Sequence, residues 1–231
     1  MPMTGTNHTL QTNAGLFSCN YIAPVSQGRG ALFLDRDGVI VQDVHYLHRV
    51  EDISFIPGVA EAIARANRLS IPVVMVTNQA GIGRGYFGWE DFQAVQQSIL
   101  AHCKVHEAHF DMVLACAYHA EGLGAYAVTD HPWRKPNPGM LLEAARVTGV
   151  DLARSFIVGD SISDLVAGKA AGLHAGALVH TGHGVLEWEK KGKAQFEHWN
   201  DEGHFIASRM DNAAVAIHKW LNEFNLIYDA G

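Results

Sequence analysis

Residues 31–41, ALFLDRDGVIV, narrow the possible folds more than any other stretch of the chain. Ala31 to Leu34 are wholly apolar, and Asp35, Asp37 and Gly38 follow almost at once. A short, continuously apolar run that ends in turn residues reads as a strand buried in a parallel sheet. In open α/β sheets, ligands are taken up just beyond the carboxyl ends of such strands. Side chains two apart on a strand point the same way, so Asp35 and Asp37 are expected to face one site together. At ~5 Å and an effective dielectric of about 20, two such charges repel by roughly 3 kcal/mol. That repulsion calls for a compensating cation, a shared proton, or both. Gly38 lacks a Cβ and lets the backbone come close to a ligand.

The same kind of apolar run recurs down the chain. Strands are expected over residues 71–76, running into Thr77-Asn78-Gln79, and over 112–117, 155–158 and 174–180. Between them lie helical patterns: one from Pro57-Gly58, then 89–105, 140–148 and 162–171. This alternation predicts an α/β fold with a doubly wound, Rossmann-like parallel sheet. Residues 1–29 are polar and without sustained periodicity. They read as an arm, with 30–231 a single domain and contact with that domain expected near 17–25. The glycine-rich stretch 80–88, residues 121–138 and the polar residues after 180 read as loops. A short strand over 204–207 and an amphipathic helix over 212–224 follow.

Composition limits the function. With 48% hydrophobic and 18% charged residues, the chain has the balance of a globular protein. Its formal net charge of -7 argues against a nucleic-acid partner or an anionic membrane surface. Cys19, Cys103 and Cys116 are too scattered for a disulfide framework. No apolar run approaches the ~20 residues of a membrane span, and no secretory leader is visible. The expectation is a cytoplasmic, monomeric enzyme acting on a small molecule.

Parallel strands share a polarity, so Asp35 and Asp37, Thr77, and Asp160 with Asp164 are expected at one edge of the sheet. Arg134 and Lys135, just before a helix, join them. Carboxylates from separate strands beside a cation-bearing segment suit a divalent metal such as Mg²⁺ together with a phosphoryl group.

The order of these motifs, DRDG, a strand ending in Thr77, Lys135-Pro136, then VGD-x₃-D, resembles the haloacid dehalogenase (HAD) superfamily of phosphatases. DRDGVI, TNQAGIGRGYF and RKPNPGM resemble its heptose bisphosphate and histidinol phosphate phosphatase branch. The resemblance covers about residues 29–180. It implies a Mg²⁺-dependent phosphatase of a sugar phosphate, with histidinol phosphate or another small monoester as the alternative substrate. In it Asp35 is the nucleophile that becomes an aspartyl-phosphate, and Asp37 the general acid and base. Mg²⁺ is held by Asp35, the Asp37 carbonyl and Asp160, with Asp164 behind them. Thr77 and Lys135 contact the phosphoryl group. Asp43, Val44, His45 and Tyr46 form one substrate loop, Asn78, Gln79 and Ala80 a second, and Arg134 a third; Arg84 is a further candidate phosphate-binding cation. Residues 38–57 and 116–134 are each shorter than the ~50 residues of a small domain, so no large cap domain is expected.

One departure concerns a zinc loop that members of this branch carry before RKP. Its ligand positions read Cys116, Tyr118, His131 and Trp133 here. Two ligands are thus replaced, and the expectation is a loop without structural zinc in which Tyr118 and Trp133 pack in the metal's place. A substitute set of Cys116, His119, Asp130 and His131 is the alternative.

Overall fold

The computed structural model describes residues 7–11, 15–21 and 28–228. Strands β1 (Asn7–Gln11), β2 (Leu16–Asn20), β3 (Leu32–Leu34), β4 (Val73–Asn78), β5 (Met112–Cys116), β6 (Phe156–Gly159), β7 (Ala175–Val179) and β8 (Ile206–Met210) form one sheet. Their order is β1-β2-β5-β4-β3-β6-β7-β8. From β5 to β8 all neighbours are parallel, and β1 and β2 extend the sheet antiparallel beyond β5. The helices are α1 (Val59–Arg68), α2 (Ala80–Gly83), α3 (Trp89–Val105), α4 (Gly139–Thr148), α5 (Ile162–Ala170), α6 (Gly184–Glu187), α7 (Lys193–Glu202) and α8 (Ala213–Tyr228).

Strand side chains alternate between two cores, as a sheet covered on both faces requires. Leu32, Leu34, Val73 and Met75 pack with Ile63 of α1, Phe92 of α3 and Ile217 of α8. Phe33, Val74 and Val76 pack with Leu141 of α4, Leu165 of α5 and Trp199 of α7. The sheet is therefore doubly wound, as its sequence pattern implied. The order in which strands are added reverses between β3 and β6, and a crevice opens at the carboxyl ends of the parallel strands flanking such a switch point. Among the described residues, the segments from β3 to α1 and from β5 to α4 carry only single 3₁₀ turns, Val50–Asp52 and Gly124–Tyr126, so no large cap covers that crevice. No helix among them is long and apolar enough to cross a membrane.

Three segments differ from the sequence expectation. Residues 1–29 were expected as an arm, but β1 and β2 lie within them and pair into the sheet; residues 1–6, 12–14 and 22–27 lie outside the described residues. Phe17 of β2 is buried, its ring 5.3 Å from Phe92 and 6.2 Å from Trp89. The alternation that drives this pairing spans only LFSCN, too short to stand out among polar neighbours. Residues 80–83, expected as loop, close the short helix α2. In the region after 180, also expected as loop, α7 buries Phe196, stacked on Trp199, and Trp199 itself, edge-on to Phe205, inside a sequence (KAQFEHWNDE) whose polarity hides its apolar stripe.

Candidate active site

Each strand that ends at the crevice delivers polar groups there. β3 runs directly into Asp35, which is almost wholly buried. Lys135, from the loop before α4, is buried as well, and its Nζ lies 2.8 Å from Asp35 Oδ1, 2.5 Å from Asp164 Oδ1 and 2.9 Å from the Val76 carbonyl. The backbone of Lys135 is fixed by Asn78 at the end of β4: its N–H donates to Asn78 Oδ1 (3.1 Å), and Asn78 Nδ2 donates to its carbonyl (3.0 Å). β6 ends in Gly159-Asp160, and Ser161 opens α5 with a capping box in which Asp164 Oδ2 accepts from the Ser161 N–H at 3.1 Å. The other oxygen of Asp164 is thereby aimed at Lys135.

Carboxylate oxygens of Asp35, Asp160 and Asp164 all lie within 4.8 Å of one another. Three carboxylates face one ammonium, and were all three ionised they would leave an excess of two negative charges in a buried space. The consequences are visible in the protonation equilibria. Burial, reinforced by Asp164 and Asp37 and opposed by Lys135, pushes Asp35 up to about 7. Burial together with Asp35 and Asp164 pushes Asp160 up to about 9. For Lys135 burial pulls downward, but Asp164 and Asp35 more than reverse it and hold the ammonium charged. A hard divalent cation with oxygen ligands is the partner that fits such a donor set. At Gly38 the φ is +74°, and a Cβ there would collide with the Asp160 carboxylate, so the backbone approach here is to Asp160.

Asp37 is placed differently from Asp35. Arg36, itself buried, grips it in a bidentate pair (Nη2 to Oδ2 2.9 Å, Nε to Oδ1 3.2 Å), and Gln79 Nε2 donates to Oδ2 at 3.2 Å. The same Gln79 donates to Thr77 Oγ1 at 2.9 Å, so the Thr77 hydroxyl keeps its own proton for another acceptor. The Arg36 guanidinium also lies over the Phe92 ring, 5.5 Å from its centroid. Sequence reasoning passed over Arg36 because a lone arginine between two aspartates reads as solvated; its burial is a tertiary property.

A cavity of about 320 Å³ is lined by Asp35, Asp37, Asp160, Asp164 and Lys135 together with Asp43, His45, Tyr46, Asn78, Gln79 and Arg134. Two expected residues stand apart from that lining. Thr77 is buried beneath it, and Arg84 turns to Glu121 (2.7 Å), His119 Nε2 (3.1 Å) and the Tyr46 hydroxyl. The cavity also takes in His183, which the sequence reading missed. The available signal was Thr181-Gly182-His183-Gly184, a polar, glycine-rich step directly after β7, at the same sheet edge as Asp35 and Asp160.

Around Cys116 and His131, Tyr118 stacks on His131 (centroids 4.1 Å apart), the Trp133 backbone N–H donates to His131 Nδ1 at 3.1 Å, and Cys116 Sγ lies 4.0 Å from that nitrogen. Among the described residues, the groups of three His, Cys, Asp or Glu close enough to share an ion are Asp35/Asp160/Asp164 and Asp43/Asp160/His183.

The HAD-hydrolase-like family model matches residues 132–212. Over 149 residues, 64% of this chain and 69% of the relative, the sequence is 55% identical to the D-glycero-beta-D-manno-heptose-1,7-bisphosphate 7-phosphatase of Mesorhizobium japonicum. Its counterpart of the same description from Rhodopseudomonas palustris is 44% identical over 147 residues, 63% of this chain and 81% of the relative. Among solved structures, the D,D-heptose 1,7-bisphosphate phosphatase from B. bronchiseptica, complexed with magnesium and phosphate, superposes with a TM-score of 0.71. It is 29% identical, over 84% of this chain and 99% of that one.

Proposed function

Since this chain belongs to the heptose bisphosphate phosphatase family of HAD-like hydrolases, and is as such a phosphoric monoester hydrolase, we propose that it removes the 7-phosphate of D-glycero-D-manno-heptose 1,7-bisphosphate. The observation that carries this reading is the buried meeting of Asp35, Asp160 and Asp164 with Lys135 where the strand order switches. It is supported by the substrate that the relatives' descriptions share.

Asp35 attacks phosphorus through a carboxylate oxygen, forming an aspartyl-phosphate as the bond to the sugar oxygen breaks. Asp37, held by Arg36 and Gln79, protonates the departing alkoxide. It then takes a proton from the water that attacks the acyl phosphate, releasing inorganic phosphate and restoring Asp35. Lys135 neutralises charge on Asp35 and on the transferring group. Asp35, Asp160 and the Asp37 carbonyl would hold Mg²⁺, which when bound neutralises phosphate charge and polarises a phosphoryl oxygen. Asp43, His45, Tyr46 and Arg134 face the rest of the sugar phosphate.

The test is a kinetic comparison of both anomers of the heptose bisphosphate with histidinol phosphate, with Mg²⁺ and after chelation. The kcat/KM for one heptose anomer is expected to exceed that for histidinol phosphate by about 100-fold or more, with turnover lost to chelation. Phosphorus NMR should show the 1-phosphate remaining. Preference for histidinol phosphate, or loss of the 1-phosphate, would overturn the assignment.

A further inference from the structure

We propose that His183 is a positioning residue that sets substrate selectivity by tying the loop after β7 to Asp43 across the mouth of the cavity. The inference rests on the reading that this cavity takes a sugar phosphate. His183 Nε2 lies 2.8 Å from Asp43 Oδ2, and the second oxygen of Asp43 accepts the His45 N–H at 3.0 Å. Asp43 is thus held at both oxygens. Its second bond supports an expensive turn: His45 and Tyr46 both have left-handed backbone, with φ of 55° and 70°. Non-glycine residues persist in that region only where their surroundings over-determine them. These strained residues carry side chains into the cavity.

His183 is itself firmly placed on its backbone side. Its N–H donates to Asp160 Oδ2 at 2.8 Å, and the Thr181 hydroxyl donates to the Gly38 carbonyl. At Gly182 (φ +57°) a Cβ would collide with the same Asp160 carboxylate. The backbone from Thr181 to His183 is therefore wedged beside Gly38 and Asp160, while the imidazole is 60% exposed and reaches Asp43. A rigid anchor at the strand ends thereby fixes a loop whose conformation is strained. That geometry positions His45 and Tyr46 for the sugar. Because the imidazole is exposed, its removal leaves no buried cavity.

The experiment compares wild type, His183→Ala and His183→Gln on the heptose bisphosphate and on p-nitrophenyl phosphate, which offers no sugar to the loop. In His183→Ala the ratio of the two kcat/KM values is expected to fall about tenfold or more. His183→Gln, whose amide nitrogen can reach Asp43 from the Nε2 position, should restore the ratio to within about threefold of wild type. Amide exchange at His45 should also speed about tenfold in His183→Ala, because loosening Asp43 releases that N–H. An equal loss on both substrates, an unchanged ratio, unaltered exchange at His45, or no restoration by Gln each overturns the assignment. A wild type with no preference for the heptose bisphosphate instead defeats the substrate reading. The His183 ratio is then measured with the sugar phosphate that is turned over fastest.

Discussion

Asp35→Asn is expected to lower turnover of the sugar phosphate by about 10⁴-fold or more, while the protein stays folded. An amide has nearly the volume of the carboxylate but cannot accept the phosphoryl group as a nucleophile, so the loss falls on kcat. The fold has no reason to suffer. Burial already pushes the Asp35 carboxyl up to about 7, which means that its charged form is held in place at a cost. Lys135 retains Asp164 as partner, and the Asn78 clamp on its backbone is untouched. Steady-state kinetics with Mg²⁺, alongside thermal unfolding without metal, check both halves. Activity within tenfold of wild type would remove Asp35 from the reaction.

Lys135→Met is expected to fail in the opposite way, through stability as well as rate. Lys135 is the ammonium that sits among Asp35, Asp160 and Asp164, and its side chain is 2% exposed. Removing one partner of a buried ionic cluster strands the remaining charges, which costs about 3–5 kcal/mol. For a chain of this size that is a fall of about 10 °C or more in Tm. Turnover should drop by about 10³-fold as well, because a fixed positive charge on the transferring group is lost. Added Mg²⁺ should recover part of the lost Tm, since the cation can take over the neutralising of Asp35 and Asp160. The check is thermal unfolding of wild type and variant with chelator and with Mg²⁺. A variant as stable as wild type in chelator would mean that these carboxylates carry no net charge needing Lys135.

Much of this site was legible because its residues sit at strand ends, where sequence position fixes direction. The runs before Asp35, Thr77 and Asp160 are short and wholly apolar, and each strand projects its next polar residue towards the same edge of the sheet. Lys135 was legible from its motif, but its hold by Asn78 was not, since that contact links residues 57 apart in sequence. Arg36 and His183 were missed for related reasons. Arg36 is a charged residue that only the packing of Phe92 and Asp37 makes an interior one. His183 belongs to a loop whose place is set by the pairing of β7 with β6, a long-range event. The strands β1 and β2 were hidden for want of length: five residues of alternation carry little weight until β5 offers an edge to pair with. In α7, Phe196 and Trp199 provide the buried stripe, and the polar residues around them mask it.

Trapping the phosphoryl group on the protein is the most direct test of the nucleophile assigned here. Wild-type protein mixed with the heptose bisphosphate and Mg²⁺, quenched in acid within one turnover and reduced with borohydride, should yield a peptide with homoserine in place of Asp35. The same peptide should be unmodified when the metal is chelated before mixing. Phosphate released in that first turnover with Asp35 left intact, or a reduced residue at any other position, would contradict covalent transfer to Asp35.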